Sequence, residues 1–308
     1  MIELTHDRYL VTGGAGFIGS HICEELVKQK KQVICVDNLI AGKRENLDKW
    51  WNPLLCTFVK TDVINMLGMP ELFDEVDIVF HNAASKCTVC RDDPHRDLMV
   101  NAWGSYCVFE AARRAKVKKI VHASTGSTMN GKPKSFYGVS KLTGESYLRA
   151  FREYYSKFRY SVLQYYHVYG PRQDNSKVGG VIPIFIRNIR NGEPVTIYGD
   201  GLQVRHFTNV KDIVNVNFLA ANDSKTDGEF YQVVSDVKVN ILQLAKMIYK
   251  LTGKEEDIQF EPTRLGDIRN FNITNEKLKD LGVEFQNDFE EGLRETIEWY
   301  GQQKIFKR

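Results

Sequence analysis

The sequence predicts an α/β protein built on a doubly wound parallel sheet, with a smaller α/β region towards the C-terminus. Three observations predict this class. Short apolar runs alternate with helical patterns through the first half of the chain, as in successive βαβ units. Most of these runs are almost continuously apolar, which is typical of parallel strands covered on both faces. A glycine-rich turn joins the first apolar run to the first helical pattern.

The elements of the N-terminal region follow one another regularly. We predict strands at 8–14, 32–38, 56–62, 76–84, 118–125 and 160–170. Helical periodicity predicts helices between them, at 18–30, 97–115 and about 138–157. After Pro171 the pattern changes to a helix at 179–192, a short strand from 195, and helices at 241–253 and 289–303.

This change of pattern divides the chain into two predicted regions. We expect a dinucleotide-binding domain over residues 1–170 and a smaller region for the other ligand over 171–308, with segments crossing between them. Low-complexity sequence is absent at the boundary. The two regions should therefore form a cleft outside the carboxyl ends of the strands, where open α/β sheets bind ligands.

Composition excludes several classes of protein. The chain has 308 residues, of which 43% are hydrophobic and 26% charged, and its net charge of +3 is too small to indicate nucleic acid. It has no apolar run long enough for a membrane span, and its N-terminus lacks the pattern of a signal peptide. We expect a cytoplasmic protein with reduced core thiols. The lone Cys87-x-x-Cys90 lacks further ligands at zinc spacing, so we predict no metal site.

The turn after the first strand predicts a site for a dinucleotide. TGGAGFIGS (12–20) matches both G-x-G-x-x-G and G-x-x-G-x-x-G. The matching glycines are Gly13, Gly14, Gly16 and Gly19. A tight turn requires positive φ, and a diphosphate requires bare backbone at a helix N-terminus. The strand before the turn and the helix after it give the motif its required context, and a purely structural turn is the alternative.

Acidic residues at the ends of the next two strands refine this prediction. Asp37 ends strand two, eighteen residues after Gly19, and its carboxylate can accept hydrogen bonds from the adenosine ribose. The same carboxylate repels a 2′-phosphate, so we expect NAD rather than NADP. Lys43 and Arg44 lie just beyond and could reach such a phosphate. Asp62 closes strand three, either to touch the adenine or as a plain turn residue.

A tyrosine–lysine pair in FYGVSK (136–141) predicts the chemistry. Tyr137 lies four residues before Lys141, so a helix starting near Gly138 places both on one side. A free phenol has a pKa of about 10, which a nearby ammonium and a positive nicotinamide lower. The phenolate can then take a proton from a substrate hydroxyl while a hydride leaves to NAD. Lys141 can also hold the nicotinamide ribose.

Two further observations bear on this pair. Strand five ends in Ser124-Thr125, where a hydroxyl can orient the same substrate oxygen, and Ser127 is a third candidate. Tyr300 also precedes a lysine by four residues, but no cofactor motif comes before it. We therefore predict Tyr137, and not Tyr300, as the catalytic tyrosine.

At these residues the chain resembles the extended short-chain dehydrogenases/reductases of the nucleotide-sugar epimerase/dehydratase family, over nearly its full length. TGGAGFIGS, VDN, TDV, HNAA, Asn101, YGVSK and HVYGPRQ occur in the family's order and spacing. The resemblance implies a Rossmann fold, NAD, a nucleoside-diphosphate sugar as substrate, and a homodimer formed by the helices near 97–115 and 138–157.

The resemblance also implies a set of site residues. The catalytic residues would be Tyr137, Lys141 and Thr125. The cofactor would be lined by Gly13, Gly16, Phe17, Ile18, Gly19, Asp37, Asn38, Gly42, Asp62, Val63, Ala83, Ala84, Lys86, Asn101, Ser124, Tyr137, Lys141 and Tyr166. The substrate would be held by Thr125, His167, Val181, Tyr198, Arg205, Arg264 and Asp267.

The chain departs from the family's pattern at the sugar. Only five residues separate Met129-Asn130-Gly131 from Tyr137, where the family has a longer loop, and His167 replaces the usual asparagine or arginine. Both departures predict an altered sugar pocket. The shortened loop also supports an alternative of another class, a protein that binds NAD without turnover as a redox sensor.

Charge distribution favours one reaction over the others. A 4,6-dehydratase needs an acid and a base beside the tyrosine, yet the chain has no Asp or Glu between Glu110 and Glu145. Elimination would have to recruit His122, His167 or a distant carboxylate. We therefore expect 4-epimerisation, with a 4,6-dehydratase, a 4-dehydrogenase or a decarboxylase as alternatives. The same stretch has eight lysines and arginines, which either form a solvated face or attract an anionic substrate. Nucleic-acid binding is a third interpretation, which the lack of interleaved aromatic residues disfavours.

Overall fold

The computed structural model describes residues 1–86, 88–176, 179–263, 273–286 and 288–302. The chain forms two compact units. The first comprises Met1–Tyr165 and Ile213–Gln232, and the second comprises Tyr166–Asp212 and the described part of Val233–Arg308.

A seven-stranded sheet forms the centre of the first unit, in the order β11-β6-β5-β4-β1-β2-β3. Its strands are β1 (Arg8–Thr12), β2 (Gln32–Asp37), β3 (Cys56–Lys60), β4 (Ile78–His81), β5 (Lys119–Thr125), β6 (Tyr160–Tyr165) and β11 (Phe230–Val233). Strands β1 to β6 pair in parallel. The predicted α/β class and doubly wound parallel sheet are confirmed.

The order of the strands places the glycine turn. The order reverses between β1 and β4, which are neighbours although they are not consecutive in the chain. Two loops that leave this point in opposite directions open a crevice at the carboxyl ends of the strands. The turn after β1 and residues 82–86 after β4 therefore lie side by side.

Helices of the first unit cover the sheet. They are α1 (Phe17–Lys28), α2 (Pro94–Asp97), α3 (Ser105–Arg114), α4 (Phe136–Tyr154) and α6 (Val210–Asn222), the last beginning in the second unit. One apolar cluster includes Val79 of β4, Phe109 of α3 and Phe151 of α4. Burial of such side chains contributes about 1.5–3 kcal/mol each to stability.

Three predicted boundaries were wrong. The helix predicted at 97–115 is divided, because Leu98–Gly104 forms a π-helical turn between α2 and α3. The helix predicted to follow Tyr137 begins at Phe136, because the Ser135 hydroxyl accepts a hydrogen bond from Gly138 N at 3.1 Å and caps it. The strand predicted at 160–170 ends at Tyr165.

The second unit has its own apolar core. Its remaining strands are β7 (Val168–Tyr169), β8 (Val195–Tyr198), β9 (Val204–His206), β10 (Thr208–Asn209), β12 (Lys238–Asn240) and β13 (Ile258–Glu261), which pair two by two. Its helices are α5 (Val181–Asn191), α7 (Ile241–Thr252), α8 (Glu276–Lys279) and α9 (Phe289–Gln302). Ile186, Leu244 and Leu293 pack in the core between α5, α7 and α9.

Neither a membrane helix nor a metal cluster occurs in the part of the chain that the structure describes. Each described helix is too short or too polar to cross a bilayer. Histidine, cysteine and carboxylate side chains nowhere gather in threes suited to a metal ion within the described residues. Cys87 of the C-x-x-C pair lies outside those residues, whereas Cys90 is buried.

Asp212 in the second unit yields a prediction on stability. It is 2% exposed and accepts a hydrogen bond from Gln286 N at 3.1 Å. Burial raises the pKa of this carboxyl to about 6, so its ionised form destabilises the fold. Its favourable contribution is complete below the unfolded-state pKa of about 4 and is lost as the pH rises through 6.

We therefore expect Asp212→Asn to raise the Tm by a few degrees above pH 6, and to lose this advantage towards pH 4. The amide oxygen of asparagine can still accept the hydrogen bond from Gln286 N. Thermal unfolding of both proteins across this pH range checks the prediction. A Tm difference that does not change with pH would contradict it.

Candidate active site

The glycine turn after β1 is pressed against the loop after β4. Gly13 has a φ of +67°, and a Cβ on it would lie 2.8 Å from the backbone nitrogen of Ala83. A side chain at this position would thus force the two loops apart. Gly16 N donates to Gly13 O at 3.0 Å and closes the turn, with Gly19 packed against Gly13 from the first turn of α1.

The N-terminus of helix α1 directly follows this turn. It begins at Phe17 after Gly16, and no side chain caps it. The first backbone N–H groups of the helix are thus left for another acceptor, and the helix dipole favours an anion there. Phe17 and Ile18 are half-buried beside this opening. The arrangement suits a diphosphate.

Asp37 at the end of β2 holds the turn from the other side. Its Oδ2 accepts from Ala15 N at 3.0 Å, and its Oδ1 accepts from Leu39 N at 2.8 Å. Gly42 folds back on this carboxylate so closely that a Cβ would lie 2.6 Å from both oxygens. Burial raises the pKa of Asp37, and the backbone hydrogen bonds oppose that rise. Each oxygen retains a lone pair for a hydroxyl.

The end of β3 is organised by Asp62. Its Oδ2 accepts from Asn38 Nδ2 at 2.6 Å, and its Oδ1 accepts from Ile64 N at 3.2 Å, which caps the short helix that Val63 begins. These bonds give Asp62 a role in the turn, and its contact with an adenine stays a prediction. Arg44, considered above for a 2′-phosphate, stacks on the Trp51 ring at 4.1 Å.

Tyr137 and Lys141 lie on successive turns at the start of α4. Gly138 allows this start, because a Cβ on it would lie 2.4 Å from Ser127 O. Tyr137 is half-buried, whereas Lys141 is 2% exposed. Lys141 Nζ makes no hydrogen bond to any described residue.

Burial dominates the electrostatics of Lys141. Desolvation lowers the pKa of its ammonium to about 8, although the charges of Glu145 and Asp97 partly offset this effect. An ammonium that is buried without a hydrogen-bond acceptor is costly, and such positions often mark functional sites. The chain has thus placed a cation where a ligand can supply the acceptors.

The two carboxylates near Lys141 are buried and already bonded. Glu145 Oε1 accepts from Ser124 Oγ at 2.6 Å and from Gln164 Nε2 at 2.9 Å. Asp97 Oδ1 accepts from Asn101 Nδ2 at 2.8 Å. Both residues are at most 2% exposed, so they act on Lys141 through their charge and are shielded from a substrate.

The hydroxyls at the end of β5 differ in their availability. Ser124 is buried, and its hydroxyl donates a hydrogen bond to Glu145. Thr125 is half-buried, and its Oγ1 accepts from Ser127 N at 3.2 Å and lies 3.4 Å from Ser127 Oγ. Thr125 and Ser127 are therefore more available than Ser124 to orient a substrate oxygen.

Asn101 lies in the π-helical turn and connects several parts of the first unit. Its Oδ1 accepts from Ser85 N at 2.8 Å, and its Nδ2 also reaches Ser140 Oγ at 3.3 Å. Ser140 Oγ in turn donates to the carbonyl of Tyr137 at 3.1 Å. Ala83, Ala84 and Lys86 are half-buried in the same loop as Ser85.

Two histidines lie beneath this network, at paired positions of β4 and β5. The rings of His81 and His122 stack at 5.2 Å, and both residues are fully buried. Burial lowers the pKa of His81 to about 3 and that of His122 well below its ordinary value, with the Lys141 charge adding to both effects. Both imidazoles are therefore neutral and out of a substrate's reach.

The remaining predicted residues belong to the second unit. Tyr166 is buried, and His167 has a φ of +36° and packs its ring edge-on against Phe207. Burial lowers the pKa of His167 to about 3, and the Arg205 charge adds to this effect. Val181 begins α5, and Tyr198 ends β8. Arg264 and Asp267 lie outside the described residues.

The second unit also accounts for Tyr300. It is 1% exposed in the core, and its hydroxyl donates to Gln173 O. Burial raises the pKa of this phenol. Tyr300 is therefore a packing residue that fastens α9 to the loop after β7.

Sequence reasoning missed the residues that support the site. Asp97 and Glu145 lie in none of the quoted motifs, and His81 and Ser140 lie in HNAA and YGVSK without having been given a role there. Their spacing to known site residues was a usable signal, since Asp97 and Glu145 each lie four residues from Asn101 or Lys141 on a helix.

Comparisons with known proteins agree with this geometry. The model of the NAD dependent epimerase/dehydratase family matches residues 9–233. A UDP-glucose 4-epimerase of Mycolicibacterium smegmatis is 33% identical over 311 residues, which cover 95% of this chain and 98% of that protein.

Two solved structures are similarly close. The UDP-glucose 4-epimerase of Thermotoga maritima with UDP-glucose has a TM-score of 0.89 and 34% identity, covering 96% of this chain and 99% of that one. The UDP-glucose 4-epimerase of Thermus thermophilus in complex with NAD has a TM-score of 0.86 and 33% identity, covering 96% and 100%.

The unpartnered ammonium predicts an unusual effect on stability. Lys141→Met should raise the free energy of unfolding of the nucleotide-free protein at pH 7, by on the order of 3 kcal/mol, because it removes a charge that the fold desolvates. Wild type carries this cost fully below pH 8 and sheds it as the pH rises from 8 to about 10.4. The advantage of the variant should shrink over that range.

Lys119 offers a matched control for this measurement. It is 5% exposed, but its Nζ donates to Asp223 O and Thr226 Oγ1 and pairs with Asp227 at 2.6 Å. Lys119→Met should therefore destabilise the fold. Chemical denaturation of both variants tests the contrast, and equal destabilisation by the two substitutions would refute it.

Proposed function

The chain belongs to the NAD-dependent epimerase/dehydratase family, and from this premise we propose that it is a nucleotide-sugar 4-epimerase that carries NAD and uses Tyr137 as its base. The family and an enzymatic role are established by the match, and the resemblance predicted from the motifs is confirmed. The observation that carries the choice of reaction is the state of the acids beside Lys141. Asp97 and Glu145 are buried and hydrogen bonded.

The described residues of the first unit fit NAD. The glycine turn and the uncapped start of α1 suit a diphosphate, and Asp37 suits a ribose diol without a 2′-phosphate. Lys141 has a buried ammonium for which ribose hydroxyls would be acceptors. When bound, NAD supplies a site that accepts a hydride from the sugar and returns it.

In the proposed reaction, the chain's own groups move one proton. Tyr137 Oη takes the proton from the hydroxyl at C4 of the sugar, and the nearby Lys141 charge stabilises the phenolate. Thr125 Oγ1 or Ser127 Oγ holds the same substrate oxygen. After the keto-sugar turns over in the pocket, Tyr137 Oη returns the proton to the oxygen at C4. Because the turned sugar presents the opposite face of its C4 carbon, the product is the C4 epimer.

Residues of the second unit are proposed for the nucleotide. Arg205 would take the diphosphate, because a guanidinium matches phosphate oxygens. Val181 and Tyr198 would flank the base. His167 and Tyr166 would meet the sugar and the nicotinamide, with Arg264 and Asp267 as further substrate residues outside the described range. In this proposal the partner is a nucleoside-diphosphate sugar, in keeping with the UDP-glucose of the Thermotoga relative.

The described residues of this site offer elimination neither His122 nor His167 as an acid. A 4,6-dehydratase must protonate a leaving hydroxyl, and His122 is fully buried and neutral. His167 is also neutral, because burial lowers its pKa to about 3. Epimerisation requires only the groups already named. A 4-dehydrogenase, a decarboxylase and a non-catalytic NAD sensor are the other outcomes that an experiment must separate.

We also propose that the protein is a homodimer through the outer faces of the π-helical turn and α4. Leu98, Trp103, Val139 and Tyr147 there are between 43% and 53% exposed. Trp103 stacks on Tyr106 at 5.4 Å, and Tyr106 contacts Tyr147 at 5.3 Å, so the apolar surface is continuous. Such a patch usually marks an interface.

The proposed reaction is tested with a panel of UDP-, GDP- and dTDP-sugars, whose products are followed by proton NMR. We expect one substrate to give its C4 epimer. Tyr137→Phe should reduce kcat by at least about 100-fold, since it removes the proton acceptor, while still binding NAD. Full activity of the variant would remove Tyr137 from the mechanism.

The other products each exclude the proposal in a recognisable way. A 4-keto-6-deoxy sugar would show a dehydratase, and loss of carboxylate carbon would show a decarboxylase. Net reduction of NAD would show a dehydrogenase. Unchanged sugars across the panel, with NAD bound, would favour the sensor.

The proposed dimer predicts the effect of one surface charge. Val139→Glu should convert the protein to a species with the mass of one 35.4 kDa chain, because the new carboxylate would be buried without a partner. Leu54→Glu is the control, since Leu54 is 84% exposed away from this surface. Light scattering that finds wild type monomeric would contradict the proposal.

A further inference from the structure

His81 forms a hydrogen bond at each of its ring nitrogens, although it lies in the core of the first unit. Its Nδ1 is 2.7 Å from Thr12 Oγ1, and its Nε2 is 2.9 Å from Ser105 Oγ. Thr12, His81 and Ser105 are each fully buried. The ring therefore connects the first residue of TGGAGFIGS with the first residue of α3.

The neighbouring hydrogen bonds fix which atom donates and which accepts in each bond of this hydrogen-bond chain, which runs from Ala83 through Thr12, His81 and Ser105 to Asn101. Ser105 Oγ gives its single proton to Asn101 O at 2.6 Å, so it must accept from His81 Nε2–H. The neutral ring then has a lone pair on Nδ1, which accepts from Thr12 Oγ1–H. Thr12 Oγ1 in turn accepts from Ala83 N–H at 3.2 Å. The ring is thus held as a single tautomer.

At one end, the hydrogen-bond chain fixes the π-helical turn that holds Asn101. Ser105 N bonds to Ala102 O, and the Ser105 hydroxyl takes the Asn101 carbonyl in its place. Both a π-bulge and a side chain inserted into the i→i−4 hydrogen bonds are known causes of helix kinks. His81 orients that hydroxyl. The Asn101 side chain then reaches Ser140 of α4, which bonds to the carbonyl of Tyr137.

At the other end, the hydrogen-bond chain fixes the glycine turn. Thr12 immediately precedes Gly13, and Ala83, which donates to Thr12, is the residue against which Gly13 packs. A shift of the His81 ring therefore moves two groups together. One is the turn proposed for the diphosphate, and the other is the helix start that carries Tyr137.

We propose that His81 is a positioning residue of the reaction, which as a neutral Nε2–H imidazole holds the glycine turn and the Asn101 turn in register. This inference rests on the proposed function for its kinetic consequence, but its effect on the binding of the cofactor is independent of the sugar. Misplacement of catalytic groups by about 1 Å costs about 100-fold in rate, so a buried group that touches no substrate can control turnover.

The chain provides its own control in His122. This residue is equally buried and stacks on His81, yet neither of its ring nitrogens has a hydrogen-bond partner among the described residues. Replacing either histidine by leucine removes an imidazole from the same layer of the core. A general packing effect should therefore be similar in the two variants, whereas a positioning effect should belong to His81 alone.

The experiment compares His81→Leu, His81→Gln and His122→Leu with wild type. NADH affinity is measured by fluorescence titration, and kcat and KM are measured with whichever nucleotide sugar wild type converts. We expect His81→Leu to weaken NADH binding about 10-fold and to lower kcat about 10-fold to 100-fold, with KM for the sugar within about twofold. His122→Leu should leave NADH affinity and kcat within about twofold of wild type. His81→Gln, which keeps an N–H donor for Ser105, should recover part of kcat.

Ser105→Ala keeps the test decisive if His81→Leu fails to fold. It interrupts the same hydrogen-bond chain with little change in side-chain volume, so it should lower kcat without preventing folding. Equal losses in His81→Leu and His122→Leu, or a wild-type kcat in Ser105→Ala, would overturn the proposal. If wild type converts no sugar, the proposed function fails, and NADH affinity alone still decides the role of His81.

Discussion

The site depends on a buried ammonium that none of the described residues hydrogen bonds. Lys141 is 2% exposed, and desolvation lowers its pKa to about 8. Folding alone offers no benefit from such a cation, and an apolar residue there would be more stable. The position makes sense when a ligand brings acceptors and when a neighbouring phenol needs a positive charge. The features around it, from the cap of α4 to the buried Glu145, keep this charge in place.

The carboxyl ends of β1 and β4 lie side by side because the strand order reverses between these two strands. The glycine turn approaches from β1, and the Asn101 turn follows the loop after β4. Their relative position is fixed by hydrogen bonds through the core as well as by packing. Directional bonds at His81 allow less movement than apolar contacts, which explains why polar side chains occupy a layer that phenylalanine or leucine fills elsewhere.

The sequence predicted the sheet and the glycine turn well, because parallel buried strands and a strand–turn–helix motif are local patterns. It did not predict helix α6 or strand β11, since β11 lies beside β6 although some 65 residues separate them. The helix at 97–115 was wrong for a related reason. The Asn101 carbonyl in this turn accepts from Ser105 Oγ, and Ser105 also bonds to His81, which precedes Ser105 by twenty-four residues. A side chain that acts through a partner far along the chain, as His81 does through Ser105, leaves no local spacing to recognise.

The central claim is that Lys141 is a desolvated cation, and NMR of the nucleotide-free protein with ¹³Cε-labelled lysine measures this directly. The account predicts one lysine resonance with a titration midpoint near 8 that disappears in Lys141→Met. A Lys141 resonance with a midpoint at or above about 10.4, the ordinary value for lysine, would contradict the account, because the ammonium would then be solvated or paired.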